Sequence, residues 1–130
     1  YSQLKNSRKI INRRKKIWDY YFKKLSNDFV TQKIPKHCLQ GYHIFCILFK
    51  KKDIADHFIK FLRDNGITAK KHYTDLSTSP FSKKILKIRN VCKNSILLSE
   101  NLVRLPLYSS LKIKDLKYII KIIRKFKNLR

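Results

Sequence analysis

Glycine, methionine and acidic residues are scarce in this chain, and each scarcity narrows what it can be. Glycine occurs only at Gly41 and Gly66, so no glycine-rich loop is available to bind phosphate through backbone N–H groups. Eight acidic residues stand against 32 basic ones, and Glu100 is the only glutamate, which leaves few carboxylates for acid–base catalysis. Methionine is absent. We therefore expect Tyr1 not to be a natural start and the chain to be a fragment of a longer protein.

Cysteines and long apolar runs are also few. Cys38, Cys46 and Cys92 show no C-x-x-C spacing, and no signal peptide opens the chain, which predicts a reduced, cytoplasmic setting. No apolar run is long enough to span a membrane. The histidines and cysteines form no recognisable tetrahedral ligand set, so no metal site is predicted. Without a G-x-S-x-G motif or an activated cysteine, no catalytic nucleophile is predicted either.

The net charge of +24 raises the possibility of a basic nucleic-acid-binding module. Such a module needs its basic residues clustered on one face. Here lysine and arginine are spread along the whole chain, and the abundance of lysine, isoleucine and asparagine is typical of AT-rich codon use. A nucleic-acid partner is therefore the weaker alternative.

Two amphipathic helices frame the chain. Leu4, Ile11, Trp18 and Leu25 recur every seven residues, which predicts one apolar face on a long N-terminal helix. Near the other end a second apolar face steps by three and four, with Asp115 suited to the first turn of its helix; it comprises Leu116, Ile119, Ile120, Ile123 and Phe126.

The middle of the chain alternates strands and helices. Residues 42–49 form an apolar run that predicts a buried strand, with Cys46 as a core residue and His43 as a satisfied sheet histidine. Asp53 is expected to cap the next helix, which Asn65 and Gly66 should end. Residues 67–73 are expected to form a strand, 82–92 a polar helix, 95–100 a helical turn, and 102–108 a strand ended by a proline.

These elements predict an α/β (α+β) fold with a small sheet of about three strands, packed helices and a long N-terminal helix. The connector 27–40 is expected to hold one short strand. On local chemistry alone, no self-contained enzyme is predicted.

Several ordered motifs resemble the C-terminal part of the DegT/StrS family of pyridoxal-phosphate (PLP)-dependent sugar-nucleotide aminotransferases. Gly66-Ile67-Thr68 followed by His72-Tyr73 resembles the family's G-I-x-x-x-x-H-Y strand end. The family's S-E-x-L-x-x-L-P-L-[FY] pattern is matched by Ser99-Glu100-Asn101-Leu102-Val103-Arg104-Leu105-Pro106-Leu107-Tyr108. Weaker matches come from the family's long helix and its H-x-F strand start, at Gln3, Leu4, Arg14, Trp18, Tyr21, Leu25, His43 and Phe45.

The resemblance implies the small C-terminal domain of a fold-type I PLP aminotransferase. It divides the chain into 1–28, a long helix joining a missing N-terminal large domain, and 29–130, the small domain. It implies a homodimer, a 4-oxo-6-deoxy nucleotide sugar as substrate, and a place in lipopolysaccharide or enterobacterial common antigen biosynthesis. His72 and Tyr73 become the expected substrate contacts. The Schiff-base lysine lies in the large domain, so neither catalysis nor PLP binding is expected of this chain alone.

The chain departs from the family pattern beside that pair. Asp75 stands where the family favours proline, and Ser77 where it favours a second histidine. Residues 81–98 carry lysines and isoleucines where relatives have a glycine-rich loop. We therefore expect this loop to be losing its substrate contact. A separately encoded N-terminal half that restores activity stays an open alternative to an inactive fragment.

Overall fold

The computed structural model describes residues 2–85, 87 and 92–129. Within them the chain forms six helices and four strands. In chain order these are α1 (Ser2–Lys5), α2 (Ser7–Leu25), β1 (Val30–Thr31), β2 (Phe45–Leu48), α3 (Lys52–Asp64), β3 (Lys70–Lys71), α4 (Pro80–Lys84), α5 (Lys93–Asn101), β4 (Leu102–Leu105) and α6 (Ile113–Asn128). None of the described helices is both long and apolar enough to cross a bilayer.

The four strands form one antiparallel sheet in the order β1-β2-β4-β3. The α+β prediction is confirmed, with four strands rather than about three. The additional strand is the two-residue β1, which lies in the connector where one short strand is expected. The apolar run 42–49 contributes only four residues to the sheet as β2.

Side chains alternate across the sheet and give it two different faces. Phe45, Ile47, Val103 and Leu105 are fully or almost fully buried on the inner face. The inner face meets α2, whose Tyr21 ring lies 5.1 Å from the Phe45 ring. Helices α3 and α6 complete the core. The alternation places Cys46 and Arg104, which are paired across β2 and β4, on the outer face.

Only the C-terminal half of α2 is buried. Ile17, Trp18, Tyr21 and Leu25 lie in the core, whereas Ile11 is 42% exposed. Leu4 is 73% exposed and lies in α1, because the predicted single helix is divided in two at Asn6. The prediction of one continuous buried face is therefore wrong for the first two turns of that pattern. The physical reason is that a helical repeat sets which side chains share a face, but not what packs against them. Trp18 has ring contacts with Phe45 and with two further aromatic side chains, Phe22 and Tyr42.

The end of α3 is built around Gly66. Its φ of 73° lies in the left-handed region. The Gly66 and Ile67 N–H groups donate to the carbonyls of Arg63 and Leu62, respectively, which is the Schellman arrangement. This confirms the predicted helix end. The start of the helix differs from the prediction: Lys51 is the N-cap, and Asp53 lies in the first turn and makes no capping hydrogen bond.

The predicted helix 82–92 is present only in part. Helix α4 covers Pro80–Lys84, and the Ser79 hydroxyl accepts the Ser82 N–H at its N-terminus. Leu86 and residues 88–91 lie outside the described residues. The predicted turn 95–100 is a nine-residue helix, α5, and Pro106 follows directly on β4 as expected.

Candidate functional site

The His72–Tyr73 pair follows β3 directly, where the strand leaves the sheet. A cis peptide bond joins the two residues, and their ring centroids lie 4.1 Å apart at an interplanar angle of 37°. Tyr73 is 68% exposed, whereas His72 is half-buried. The Nδ1 atom of His72 is buried and has no hydrogen-bond partner. One ring is thus open to solvent, and the other holds an unsatisfied polar atom.

The surroundings of His72 favour its neutral form. Partial burial lowers the pKa of His72 from its usual value, and its electrostatic interactions with Arg104 and His43 lower it further. A neutral imidazole offers one donor and one acceptor. Near neutral pH the ring can therefore serve a ligand in either role.

Beside His72 the outer face of the sheet forms a cleft of about 400 Å³, which we call the basic cleft. It is lined by His43, Thr68, Lys70, Arg104, Leu105, Pro106, Leu107 and Tyr108. The antiparallel register places Lys70 directly opposite Arg104, so two cations from distant parts of the chain meet. The lining residues include no carboxylate.

Sequence reasoning missed most of the basic cleft. His43 is interpreted from sequence as a satisfied sheet histidine, which is wrong: it precedes β2, is exposed, and lines the cleft. Lys70 and Arg104 carry no signal in the sequence because lysine and arginine are common throughout the chain. Only the pairing of β3 with β4 distinguishes these two residues from the other basic residues of the chain.

A second depression, of about 410 Å³, lies on the Tyr73 side of the pair. Its cations are paired: Lys52 lies 3.5 Å from Glu100, and Lys71 lies 2.6 Å from Asp56. In contrast to the basic cleft, this depression therefore has little uncompensated charge.

Asp75 organises the loop that follows the pair. Its side chain is 5% exposed, and one oxygen accepts the Ser77 hydroxyl at 2.6 Å and the Thr78 N–H at 2.8 Å. The other oxygen accepts the hydroxyl of Ser95 on α5. Hydrogen bonds from Ser77 and Ser95 hold the pKa of Asp75 far below its usual range.

The two departures from the family pattern, Asp75 and Ser77, therefore contact each other and belong to one hydrogen-bonded cluster. They tie the loop to α5. The structure thus shows an organised loop at the positions where the sequence predicts a loss of function. Substrate contact by this loop remains a prediction.

No other catalytic group emerges among the described residues. Asp75 is bonded to hydroxyls rather than to His72, so the two do not form an acid–base pair. Cys46 is buried as predicted, and burial raises the pKa of its thiol to about 11, which disfavours a nucleophilic thiolate. In the described part of the chain, no three histidine, cysteine or acidic side chains lie close enough to share a metal ion.

The small antiparallel sheet, its helical layer and the N-terminal helices match part of the fold of fold-type I aminotransferases. Residues 1–124 match the profile of the DegT/DnrJ/EryC1/StrS aminotransferase family. The chain belongs to this family. No curated protein sequence matches it.

Solved aminotransferases share this fold at low sequence identity. The chain is similar to TlmJ from Streptoalloteichus hindustanus, with 18% identity, a TM-score of 0.87, and coverage of 98% of this chain and 34% of that one. It is also similar to PseC from Helicobacter pylori, an aminotransferase of pseudaminic acid biosynthesis, with 17% identity, a TM-score of 0.87, and coverage of 99% and 36%. A Streptococcus pneumoniae protein described as a sugar aminotransferase shows 20% identity, a TM-score of 0.84, and coverage of 98% and 33%.

The chain spans about a third of the length of these structures. The Streptococcus pneumoniae protein has been solved in apo, PMP and PLP forms, so PLP is a cofactor within the family. None of these similarities points to nucleic-acid binding.

The basic cleft does not carry the groups that hold PLP in PLP enzymes. PLP enzymes hold the cofactor through a Schiff-base lysine and a partner for the pyridinium nitrogen. Lys70 is the one lysine of the basic cleft, and no acidic side chain lines the cleft with it. We therefore derive no step through the cofactor from this chain.

Proposed function

We propose that this chain is the C-terminal part of a PLP-dependent aminotransferase that acts on a 4-oxo-6-deoxy nucleotide sugar. The supporting observation is the family match over residues 1–124, combined with the His72–Tyr73 pair beside an unneutralised cleft. We propose dTDP-4-oxo-6-deoxy-D-glucose as the particular substrate, because the motifs of this chain resemble those of the transaminase that acts on it. That substrate, and a role in lipopolysaccharide or enterobacterial common antigen biosynthesis, form part of the proposal.

In this proposal residues 1–28 connect to a large domain and residues 29–130 form the small domain. Leu4 and Ile11 are exposed on the first turns of the helical region and offer an apolar surface for packing. A groove of about 800 Å³ lies between α2 and the start of α6; it is lined by Lys9, Asn12, Arg13, Lys16, Ile17, Leu111 and Ile113. The large domain would pack against part of this N-terminal helical region.

The proposed role of His72 and Tyr73 is to contact substrate rather than to catalyse. The phenol and the neutral imidazole can hydrogen-bond sugar hydroxyls or phosphate oxygens. The amino-transfer chemistry would depend on PLP bound by residues of the large domain. This chain would supply one wall of the site, and a second subunit would complete it as in the family.

The test of this proposal has two stages. The isolated chain is first incubated with PLP and dialysed, and we expect no PLP absorbance to remain with the protein. The chain is then co-expressed with the N-terminal two-thirds of a family member, and amino transfer to dTDP-4-oxo-6-deoxy-D-glucose is assayed. We expect activity only from the pair of chains.

Two variants test the role of the His-Tyr pair in that assay. His72→Ala and Tyr73→Ala should raise KM about tenfold each, because each removes a hydrogen bond to a charged or polar substrate group. His57→Ala, on the exposed side of α3, is the matched control and should leave KM unchanged. PLP absorbance that stays with the isolated chain after dialysis, or activity without a partner half, would contradict the proposal.

A further inference from the structure

Helix α6 carries a stripe of basic side chains along its exposed side. The opposite side is buried in the core through Leu116, Ile119, Ile120, Ile122, Ile123 and Phe126. On a helix of 3.6 residues per turn, five basic residues fall within about 100° of the exposed side and extend for about 17 Å along it. We call these residues the basic stripe; they are Lys114, Lys117, Lys121, Arg124 and Lys125, all of them exposed.

Among the described residues, no carboxylate forms an ion pair with the basic stripe. Asp115 is the only acidic residue of α6, and the helical repeat places it outside the sector that holds the stripe. The exposed side of α2 differs, because Asp19 lies among its basic residues and pairs with Lys15 at 2.6 Å. The basic stripe is therefore a surface of one charge sign rather than a network of ion pairs.

Apolar side chains lie beside the basic stripe at the C-terminal end of α6. Tyr118 and Leu129 are both exposed. Together with the buried Ile122 they line a depression of about 490 Å³, whose other lining residues are Lys121, Arg124, Lys125 and Asn128. Cationic and apolar groups thus meet on one surface, which fits a partner that is both anionic and partly apolar.

We propose that the exposed side of α6 docks on a membrane surface rich in acidic phospholipid. Each lysine or arginine close to such a surface strengthens binding about fivefold, and clusters of about four to eight of them on an amphipathic helix are typical of acidic-lipid contacts. The main apolar face of α6 is committed to the core, so the helix lies on the headgroups rather than among the acyl chains.

The exposed apolar residues favour a lipid surface over a nucleic acid. The ring of Tyr118 and the side chain of Leu129 suit the boundary between headgroups and acyl chains, where aromatic and apolar side chains are stabilised. A phosphate backbone would attract the lysines of the stripe equally well, but it offers Leu129 no apolar contact.

Vesicle co-sedimentation with the whole 130-residue chain tests the proposal. Vesicles of phosphatidylcholine and phosphatidylglycerol in equal parts are compared with vesicles of phosphatidylcholine alone, at about 0.15 M NaCl. We expect the chain to bind the mixed vesicles and not the neutral ones. Equal binding to both kinds of vesicle would overturn the proposal.

The decisive variant combines Lys117→Gln with Lys121→Gln and should weaken binding to the mixed vesicles at least about tenfold. Glutamine has nearly the same helix propensity as lysine, so α6 should stay folded. The matched control combines Lys36→Gln with Lys84→Gln, which removes the same charge from exposed positions on two separate segments. Equal weakening by the control would show non-specific attraction to a highly basic chain and overturn the proposal.

Leu129→Gln tests the apolar part of the contact and should weaken vesicle binding about threefold. Its control is Leu39→Gln, at a fully exposed position of the connector between β1 and β2, which should leave binding unchanged. Equal effects of the two changes would remove the basis for choosing lipid and overturn the proposal.

A DNA duplex identifies the competing partner. If the combined Lys117→Gln and Lys121→Gln variant loses affinity for the duplex but not for the mixed vesicles, the basic stripe is a nucleic-acid surface and the proposal is overturned. Transamination is not measured in these experiments, so their outcome is independent of the proposed function.

Discussion

Tyr21 joins the long helix to the sheet through both its ring and its hydroxyl. The side chain is fully buried, stacks on Phe45, and donates to the Pro106 carbonyl at 2.9 Å. Burial holds the pKa of the phenol far above its usual value, so the donor stays protonated. The sequence places Tyr21 on the apolar face of a helix, but the acceptor is 85 residues away along the chain.

Tyr21→Phe should therefore lower the free energy of unfolding by about 1 kcal/mol, because it leaves the Pro106 carbonyl without its partner. Urea unfolding monitored by Trp18 fluorescence measures the change. Tyr118→Phe is the control: the Tyr118 hydroxyl donates to the Asn65 carbonyl from an exposed position, where water replaces the lost bond. If both variants lose the same free energy of unfolding, the buried hydrogen bond of Tyr21 contributes no more to stability than the exposed one of Tyr118.

Asp75 predicts a specific pH dependence of stability. Its pKa is lowered in the folded state, so its stabilising effect is fully present above the unfolded value of about 3.9 and is lost as the pH falls. Asp75→Asn should be less stable than wild type near pH 7, and the difference should shrink towards about pH 3. Urea unfolding at several pH values tests this expectation.

Asp64→Asn provides the comparison for Asp75. Asp64 is exposed near the end of α3 and makes no ion pair with a described residue. The wild-type and Asp64→Asn stabilities should differ little at any pH. If the difference in the free energy of unfolding between wild type and Asp75→Asn is also independent of pH, the hydrogen-bonded cluster does not depend on the ionised carboxylate.

At the scale of elements, the helix that precedes the candidate site ends as its sequence predicts. Gly66 adopts φ 73°, and an added Cβ would meet no atom within 4 Å. Gly66→Ala should therefore cost about 1–2 kcal/mol for conformational reasons alone. Gly66→Asn should cost less, because asparagine tolerates the left-handed region.

Gly41→Ala is the matched control, since Gly41 is the other glycine and does not have a positive φ. Its added Cβ would lie 3.4 Å from the His43 Nδ1 atom, which the exposed ring can accommodate. We expect a change of less than about 0.5 kcal/mol. Thermal or urea unfolding of both variants measures the contrast, and equal costs would exclude a special conformational role for Gly66.

At the scale of the whole molecule, charge works against the folded state. The net charge is +24, and the described residues form four ion pairs. Folding brings like charges together, and this repulsion is screened by salt. We expect the free energy of unfolding to rise as NaCl increases from about 0.01 M to about 0.15 M.

Urea is the appropriate denaturant for this measurement because it is uncharged and leaves the ionic strength unchanged. Sucrose at matched osmolality serves as the non-ionic control and should not reproduce the rise in the free energy of unfolding. A flat or falling stability over this salt range would show that the ion pairs outweigh the repulsion.

The sequence by itself determined the local elements and the family of this protein. Apolar periodicity predicted the terminal helices, Gly66 predicted the end of α3, and the ordered motifs identified the aminotransferase family, because each of these signals lies within a short stretch of chain. The same periodicity extended the predicted buried face too far towards the N-terminus, to Leu4 in α1 and Ile11 in α2, since burial needs a partner that a helical repeat cannot specify.

Only the tertiary structure decided what surrounds the His72–Tyr73 pair. The register of β3 on β4 places Lys70 beside Arg104, and the loop ahead of β2 brings His43 to the same cleft. The contact of Asp75 with Ser95 likewise joins residues 20 positions apart. Strand pairing and loop closure set these neighbours, and neither is encoded in the spacing of charged residues along a chain this rich in lysine.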